Sequence, residues 1–149
     1  MRVGIILSQS AEHEFDLVDF QAAYGESRYF QCMLNIADIM QHLESNPRAI
    51  PSRYGVHKLW RDFKGYLGAY LEPELHEEGK NALRIVFRVM SADNGFDGID
   101  DPRFPYLRDR VGDSLSNFDY IVHVWVGCYD YHGNKKSKTR SAIKDTFVG

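Results

Sequence analysis

The chain has 149 residues, 44% apolar and 26% charged, with 18 Lys and Arg against 21 Asp and Glu, for a formal net charge of −3. This composition excludes a disordered chain, and one domain of this length buries roughly 68–70% of its unfolded surface, so no disulfide or metal staple is required. The acidic balance excludes a protein that coats nucleic acid indiscriminately, because phosphate neutralisation dominates that kind of affinity, but it leaves room for a local basic patch.

Arg2 to Leu7 reads as a first strand of β-branched and aliphatic residues. Ser8 and Ser10 are placed to cap a following helix, with Glu12, Glu14 and Asp16 at the positive end of its dipole and Ala11, Phe15, Val18 and Ala22 at helical spacing. Gly25 breaks that helix. A second runs from about Ser27 to Leu43, with Phe30, Met33, Leu34, Ala37, Met40 and Leu43 as its buried stripe. Asn46 and Pro47 end it. A hairpin follows, with strands at about Tyr66 to Glu72 and Ala82 to Met90. The second alternates poorly, as a central strand does.

Asp93 to Asp101 is rich in Asp and Gly, and Pro102 and Pro105 come after it, so the chain makes an irregular excursion here. Its tail, about Tyr106 to Leu115, has room for a short helix. Asp119 to Gly127 is the last clear strand, and Lys135 to Phe147 reads as a terminal helix with a basic start. The order β-α-α-β-β-β-α predicts one α+β domain spanning 1–149: a small, mainly antiparallel twisted sheet with two N-terminal helices and a short C-terminal one, interrupted by an insertion at about 91–118.

No secretory leader opens the chain, and its longest apolar runs, such as Tyr120 to Gly127, are strand-sized, which predicts no membrane association. Cys32 and Cys128 form no framework and have no metal-type spacing. They predict a reducing cytoplasm, with each thiol a small core residue.

The chemistry-bearing residues fall in three places. Lys58, Arg61 and Lys64 are spaced through an aromatic run ahead of a strand carrying Arg84 and Arg88, a layout that suits a polyanion. Tyr54, Trp60, Phe63, Tyr66 and Tyr70 are residues able to stack bases, although core packing is the commoner use. Lys135, Lys136, Lys138 and Arg140 form a second basic run, just after Tyr129, Tyr131 and His132. His123, inside a strand, reads as a hydrogen-bonded sheet residue. His13, His42, His57 and His76 have no ligand spacing, so neither metal nor other cofactor is expected. As a calcium loop, DNGFDGIDD fails: Gly95 takes the third position, and Phe104 the twelfth, where a bidentate acid belongs.

The β-α-α opening, the run KLWRDFKGYLGAYL, and ALRIVFRV followed later by YIVHVWVG resemble the RelE/ParE superfamily of type II toxins. The resemblance covers most of the chain. It implies an endoribonuclease cleaving mRNA at the ribosome, inhibited by a cognate antitoxin and needing no cofactor. Arg84 falls on the family's strand arginine, and Tyr129, Tyr131 and His132 fall where the family places its post-strand arginine, histidine or tyrosine. These four are therefore the implied catalytic residues. Lys58, Arg61, Lys64, Arg88, Lys135, Lys136, Lys138 and Arg140 are the implied RNA contacts. Gly68 and Tyr70 stand where ribosome-dependent members carry a lysine pair, and the insertion has no counterpart in short members. The alternative implied is a non-catalytic binding protein on the same fold, either a ParE-like inhibitor of a target such as gyrase or a relative that has lost catalysis.

Overall fold

The structure is a computed structural model and describes residues 1–10, 25–60, 63–71, 84–127 and 143–148. In chain order its regular elements are β1 (Val3–Ser10), α1 (Glu26–Ser45), β2 (His57–Lys58), β3 (Leu67–Tyr70), β4 (Arg84–Ser91), α2 (Leu107–Val111), β5 (Tyr120–Gly127) and β6 (Ile143–Val148). Short 3-10 turns lie at Ser52–Tyr54, Ala92–Asn94 and Gly112–Asn117. The fold is α+β, as the element pattern predicts.

The six strands are ordered β2-β3-β4-β5-β1-β6. β1 and β5 run parallel, from Val3 beside Tyr120 to Ser8 beside Trp125, and every other neighbouring pair is antiparallel. The sequence explains the two long inner strands. RIVFRVMS and YIVHVWVG are dominated by β-branched and aromatic residues, which suit a pleated surface packed on both sides. The hairpin partners β3 and β4 are antiparallel, and β4 is interior, as its weak alternation suggested.

One face of the sheet packs on α1. Ile5, Ala69, Ile85, Phe87, Val122 and Val124 point toward Cys32, Ile39 and Leu43, with Tyr54 and Leu71 closing the margin. Cys32 is thus a core residue. The helix begins after Gly25, whose φ of 86° suits a residue without a Cβ, and ends where the Asn46 amide bonds the His42 carbonyl ahead of Pro47.

The other face is covered by Leu59, Phe63 and Tyr66 and by the excursion at 92–118. From the excursion Phe96, Ile99, Phe104, Leu107, Val111 and Phe118 pack on Ile6, Val86, Met90, Ile121 and Trp125. The insertion therefore supplies most of the layer on that face, and its tail does turn helical, in α2 and the 3-10 turn after it.

Three expectations are corrected. The stripe of α1 is rotated: Phe30 is 63% and Leu34 48% exposed, and Ala37 is exposed. Met33, Met40 and Leu43 face the sheet as expected, joined by Tyr29, Cys32, Ile36 and Ile39. Spacings of three and four allow neighbouring phases on one helix, and the sheet selects the one carrying Ile36 and Ile39. β1 runs on through Ser8 and Ser10, which the sequence places after it; residues 11–24, where the first helix and its caps are predicted, lie outside the described residues. Ile143–Val148 is a strand and not the end of a terminal helix. β1 presents its free edge there, and IKDTFV, with Ile, Thr, Phe and Val, suits a strand once that edge is available. Lys135, Lys136, Lys138 and Arg140 lie outside the described residues.

Candidate functional site

Arg84 opens β4 and is registered between Tyr70 on β3 and Gly127 on β5. Its guanidinium carbon stands 5.7 Å from the centre of the Tyr70 ring. That ring stacks in turn on the His57 imidazole, with centroids 5.2 Å apart and planes 19° from parallel. Nδ1 of His57 lies 2.8 Å from the Gly55 carbonyl, to which it donates when protonated there. Gly55 has φ 60°, and a Cβ there would stand 3.1 Å from the Tyr70 ring, so the turn before β2 fits only a glycine closely. Cation, phenol and imidazole form one column across three strands, and Arg84 within it is only 5% exposed. A charge held in such a low-dielectric setting acts more strongly on a neighbouring anion than it would in water.

Gly127 ends β5 opposite Arg84, and Tyr129, Tyr131 and His132 follow it in the chain. Those three residues, and Arg61 with the second basic run, lie outside the described residues. Lys58 on β2 and Lys64 in the turn before β3 are exposed. Trp60 is exposed, whereas Tyr54, Phe63 and Tyr66 are buried in the core.

Arg88 is committed to other protein groups. Its Nη1 lies 3.2 Å from Asp101 Oδ2, and its Nη2 lies 3.9 Å from Asp97. The guanidinium passes between two backbones: a Cβ on Gly98 would fall 2.4 Å from its Cζ, and one on Gly65 would fall 2.9 Å from Nη1. Both glycines have positive φ. Asp101 also accepts from Arg103, from Nη2 at 2.6 Å, Nε at 3.0 Å and the backbone N–H at 2.9 Å. These bonds hold its carboxyl below the usual carboxylate range. Arg103 donates further to the Lys64 carbonyl, so the Arg88–Asp101–Arg103 cluster ties the excursion to both β4 and the turn before β3. Beside it an open cleft of about 520 Å³ is lined by Arg88, Phe96, Asp97, Asp100 and Asp101, among others. Asp100 is paired with Arg108 at 2.7 Å.

Deeper under the excursion lies a polar group that the sequence did not bring together. His123 on β5 is fully buried. Its Nε2 is 2.6 Å from Ser8 Oγ and 3.4 Å from the Tyr106 hydroxyl, and its Nδ1 meets the Tyr66 hydroxyl. Trp125 and Phe104 pack against the ring at 4.4 and 5.4 Å between centroids. Burial pushes the imidazole down to about 3, so it is neutral at pH 7, with one nitrogen donating and the other accepting. Burial likewise raises the Tyr66 phenol well above its ordinary value. A hydroxyl 2.6 Å from an imidazole is the spacing of a nucleophile and its base. Here both members are fully buried among aromatic rings, and the pair serves to satisfy polar atoms inside the core. His123 is thus the hydrogen-bonded sheet residue its position in a strand suggested. Its hydrogen-bond partners come from three separate stretches of chain, and no local spacing announces them.

Among the described residues, no group of three His, Cys, Asp or Glu side chains is placed to hold a metal ion. No described helix is long and apolar enough to cross a membrane. No protein-family model, curated protein or solved structure matches the chain.

Proposed function

We propose that the chain is an RNA-cutting toxin of the RelE/ParE type, an endoribonuclease that acts on mRNA at the ribosome and is restrained by a cognate antitoxin. The observation that carries this reading is the register at one end of the sheet. Arg84 pairs with Gly127, and Tyr129, Tyr131 and His132 follow Gly127 by two, four and five residues. Attack of a ribose 2′-hydroxyl on its own phosphate needs a base, an acid for the departing oxygen, and a cation for charge on the phosphorane. Arg84 supplies the cation, and electrostatic stabilisation of this kind is usually the largest catalytic contribution. His132 and Tyr131 move the protons, a gain of roughly 10²–10⁴. Lys135, Lys136, Lys138 and Arg140 hold flanking phosphates, which position the strand without reading its sequence.

A second reading is favoured by Arg88. Its pairing with Asp101 removes one cation from any RNA surface, and the excursion covers the sheet face on which it stands. Both features suit a non-catalytic binder on the same fold, aimed at a protein target such as gyrase.

Inducible expression of the wild type and of Arg84→Ala, with growth and mRNA integrity followed together, separates the two. Arrest with mRNA cleavage in the wild type alone supports the ribonuclease. Arrest with intact mRNA selects the non-catalytic inhibitor, and normal growth with intact mRNA defeats both. Because Arg84 is buried, Arg84→Lys and a thermal melt of each variant distinguish lost chemistry from lost folding.

A further inference from the structure

The polar cluster under the excursion has a property that does not depend on whether the chain cuts RNA. His123 touches side chains from each element packed around it: Ser8 of β1, Tyr66 from the turn before β3, and Tyr106 from the excursion. All three offer hydroxyls and none offers a negative charge. Directly opposite on β4 stands Arg88, registered with His123. Asp101 is the anion that acts on the imidazole among the described residues, and it is already bound by Arg103 and by Arg88, which Asp97 also approaches. A second proton on the ring would thus place a cation in an apolar pocket beside a guanidinium, with its counter-ion already shared.

Relief has one inexpensive route. On the sheet side, His123 is fixed by ladders to β1 and β4, six and eight residue pairs long. The excursion, by contrast, is built from 3-10 turns and the five-residue α2, and its backbone bonds are mostly local, such as Ile99 to Phe96, Phe104 to Asp101 and Leu107 to Phe104. Local elements of this kind open at lower free energy than the sheet beneath them. We propose that His123 is the pin of an acid-sensitive latch, in which uptake of one proton by its imidazole releases residues 92–118 from the sheet.

The direction follows from linkage. The buried ring titrates near 3 and the hydrated ring near 6.5, so above about 6.5 both states are neutral and the latch is closed at full strength. Between those values the open state alone carries the proton. Opening then becomes close to tenfold more favourable for each pH unit lost, and levels off below about 3. Carboxylates contribute acid dependence mainly below about pH 5, and comparison with a variant lacking only the His123 imidazole removes the contribution of the other five histidines.

Amide hydrogen exchange on the full chain, corrected for the intrinsic rate at each pH, tests this. In the wild type the opening constants of the Ile99, Phe104 and Leu107 amides should rise about fivefold from pH 6.5 to 5.5 and close to tenfold from 5.5 to 4.5. The amides of α1 should remain better protected throughout. His123→Gln, which can hydrogen-bond but does not titrate, should flatten that slope. A slope of zero in the wild type, an equal slope in the variant, or opening of α1 in step with the excursion at every pH would overturn the latch. Should the Gln variant not fold, the imidazole carbon–proton signal of the wild type decides. It should keep its neutral position down to about pH 4, and a midpoint near 6.5 in the folded protein would refute the proposal.

Discussion

Among the described residues, α1, a helix of 20 residues, lies against one face of the sheet; against the other lie Leu59, Phe63, Tyr66 and the irregular excursion. The helix satisfies its own backbone, so it can present the sheet with an almost wholly apolar stripe. Its polar partners stay at the margin: Asn35 on the Leu71 carbonyl, and Asp38 with Arg53 and Tyr54. The excursion has no such internal ladder. It closes its backbone in short turns and is fastened by side chains, which is why an Arg–Asp–Arg cluster and a histidine with three hydroxyls lie on that face. Regular structure lets a layer be sealed with hydrocarbon, whereas irregular structure carries polar groups inward and makes the seal sensitive to charge.

The largest effect should come from core truncation on either side. Phe104→Ala under the excursion should cost about 3–5 kcal/mol and Leu43→Ala under α1 about 2–5 kcal/mol. Urea unfolding checks both, and one shared transition is expected, because the two cores meet through the same strands. A separate early transition in Phe104→Ala alone would show that the two faces fold as independent units.

Next is Asp101→Asn, which leaves Arg88 and Arg103 without their carboxylate in a largely buried place, at a cost of about 3 kcal/mol at pH 7. The folded carboxyl titrates below its ordinary 3.8, so its contribution is present above that value and disappears as pH falls through the lowered one. Wild type and variant should accordingly converge in acid, as thermal melts at pH 7 and pH 3 would reveal.

A pair of glycines sharpens the point about fastening. Gly95→Ala meets nothing within 4 Å and should cost only the left-handed backbone, roughly 1–2 kcal/mol. Gly98→Ala has φ 106° and drives its Cβ into the Arg88 guanidinium, so its loss in denaturant should clearly exceed that of Gly95→Ala. Equal losses would mean that Arg88 is not gripped between the two backbones. Smallest of all, Leu34→Gln on the exposed side of α1 should stay within about 0.5 kcal/mol of the wild type, although helical spacing places Leu34 on the buried stripe.

What the sequence made legible follows the range over which each feature is decided. β4 and β5 were readable to within two residues, because their β-branched and aromatic runs mark a buried strand without outside help. The ends of α1 were readable from Gly25, Asn46 and Pro47. Its phase was not, since Phe30 and Leu34 satisfy helical spacing as well as Cys32 and Ile36 do, and only the sheet decides between them. β6 was hidden because IKDTFV becomes a strand only beside β1, whose residues lie more than 130 positions earlier. At the candidate site, Arg84 was visible as a cation in a strand, but its column with Tyr70 and His57 depends on cross-strand register. The acids of the excursion were read as turn formers, and nothing local shows that Asp101 folds back onto Arg88.

The parallel pairing of β1 with β5 also has a bearing on how the molecule comes into being. Val3 lies beside Tyr120, and the other neighbour of β1 is β6, at 143–148. As the polypeptide is synthesised, β1 emerges about 110 residues ahead of β5 and further still ahead of β6. Closing so long a loop comes ahead of the contacts that reward it, which slows folding relative to a chain of local pairings. Until then VGIILSQS is an unpaired, largely aliphatic strand, open to association with other chains.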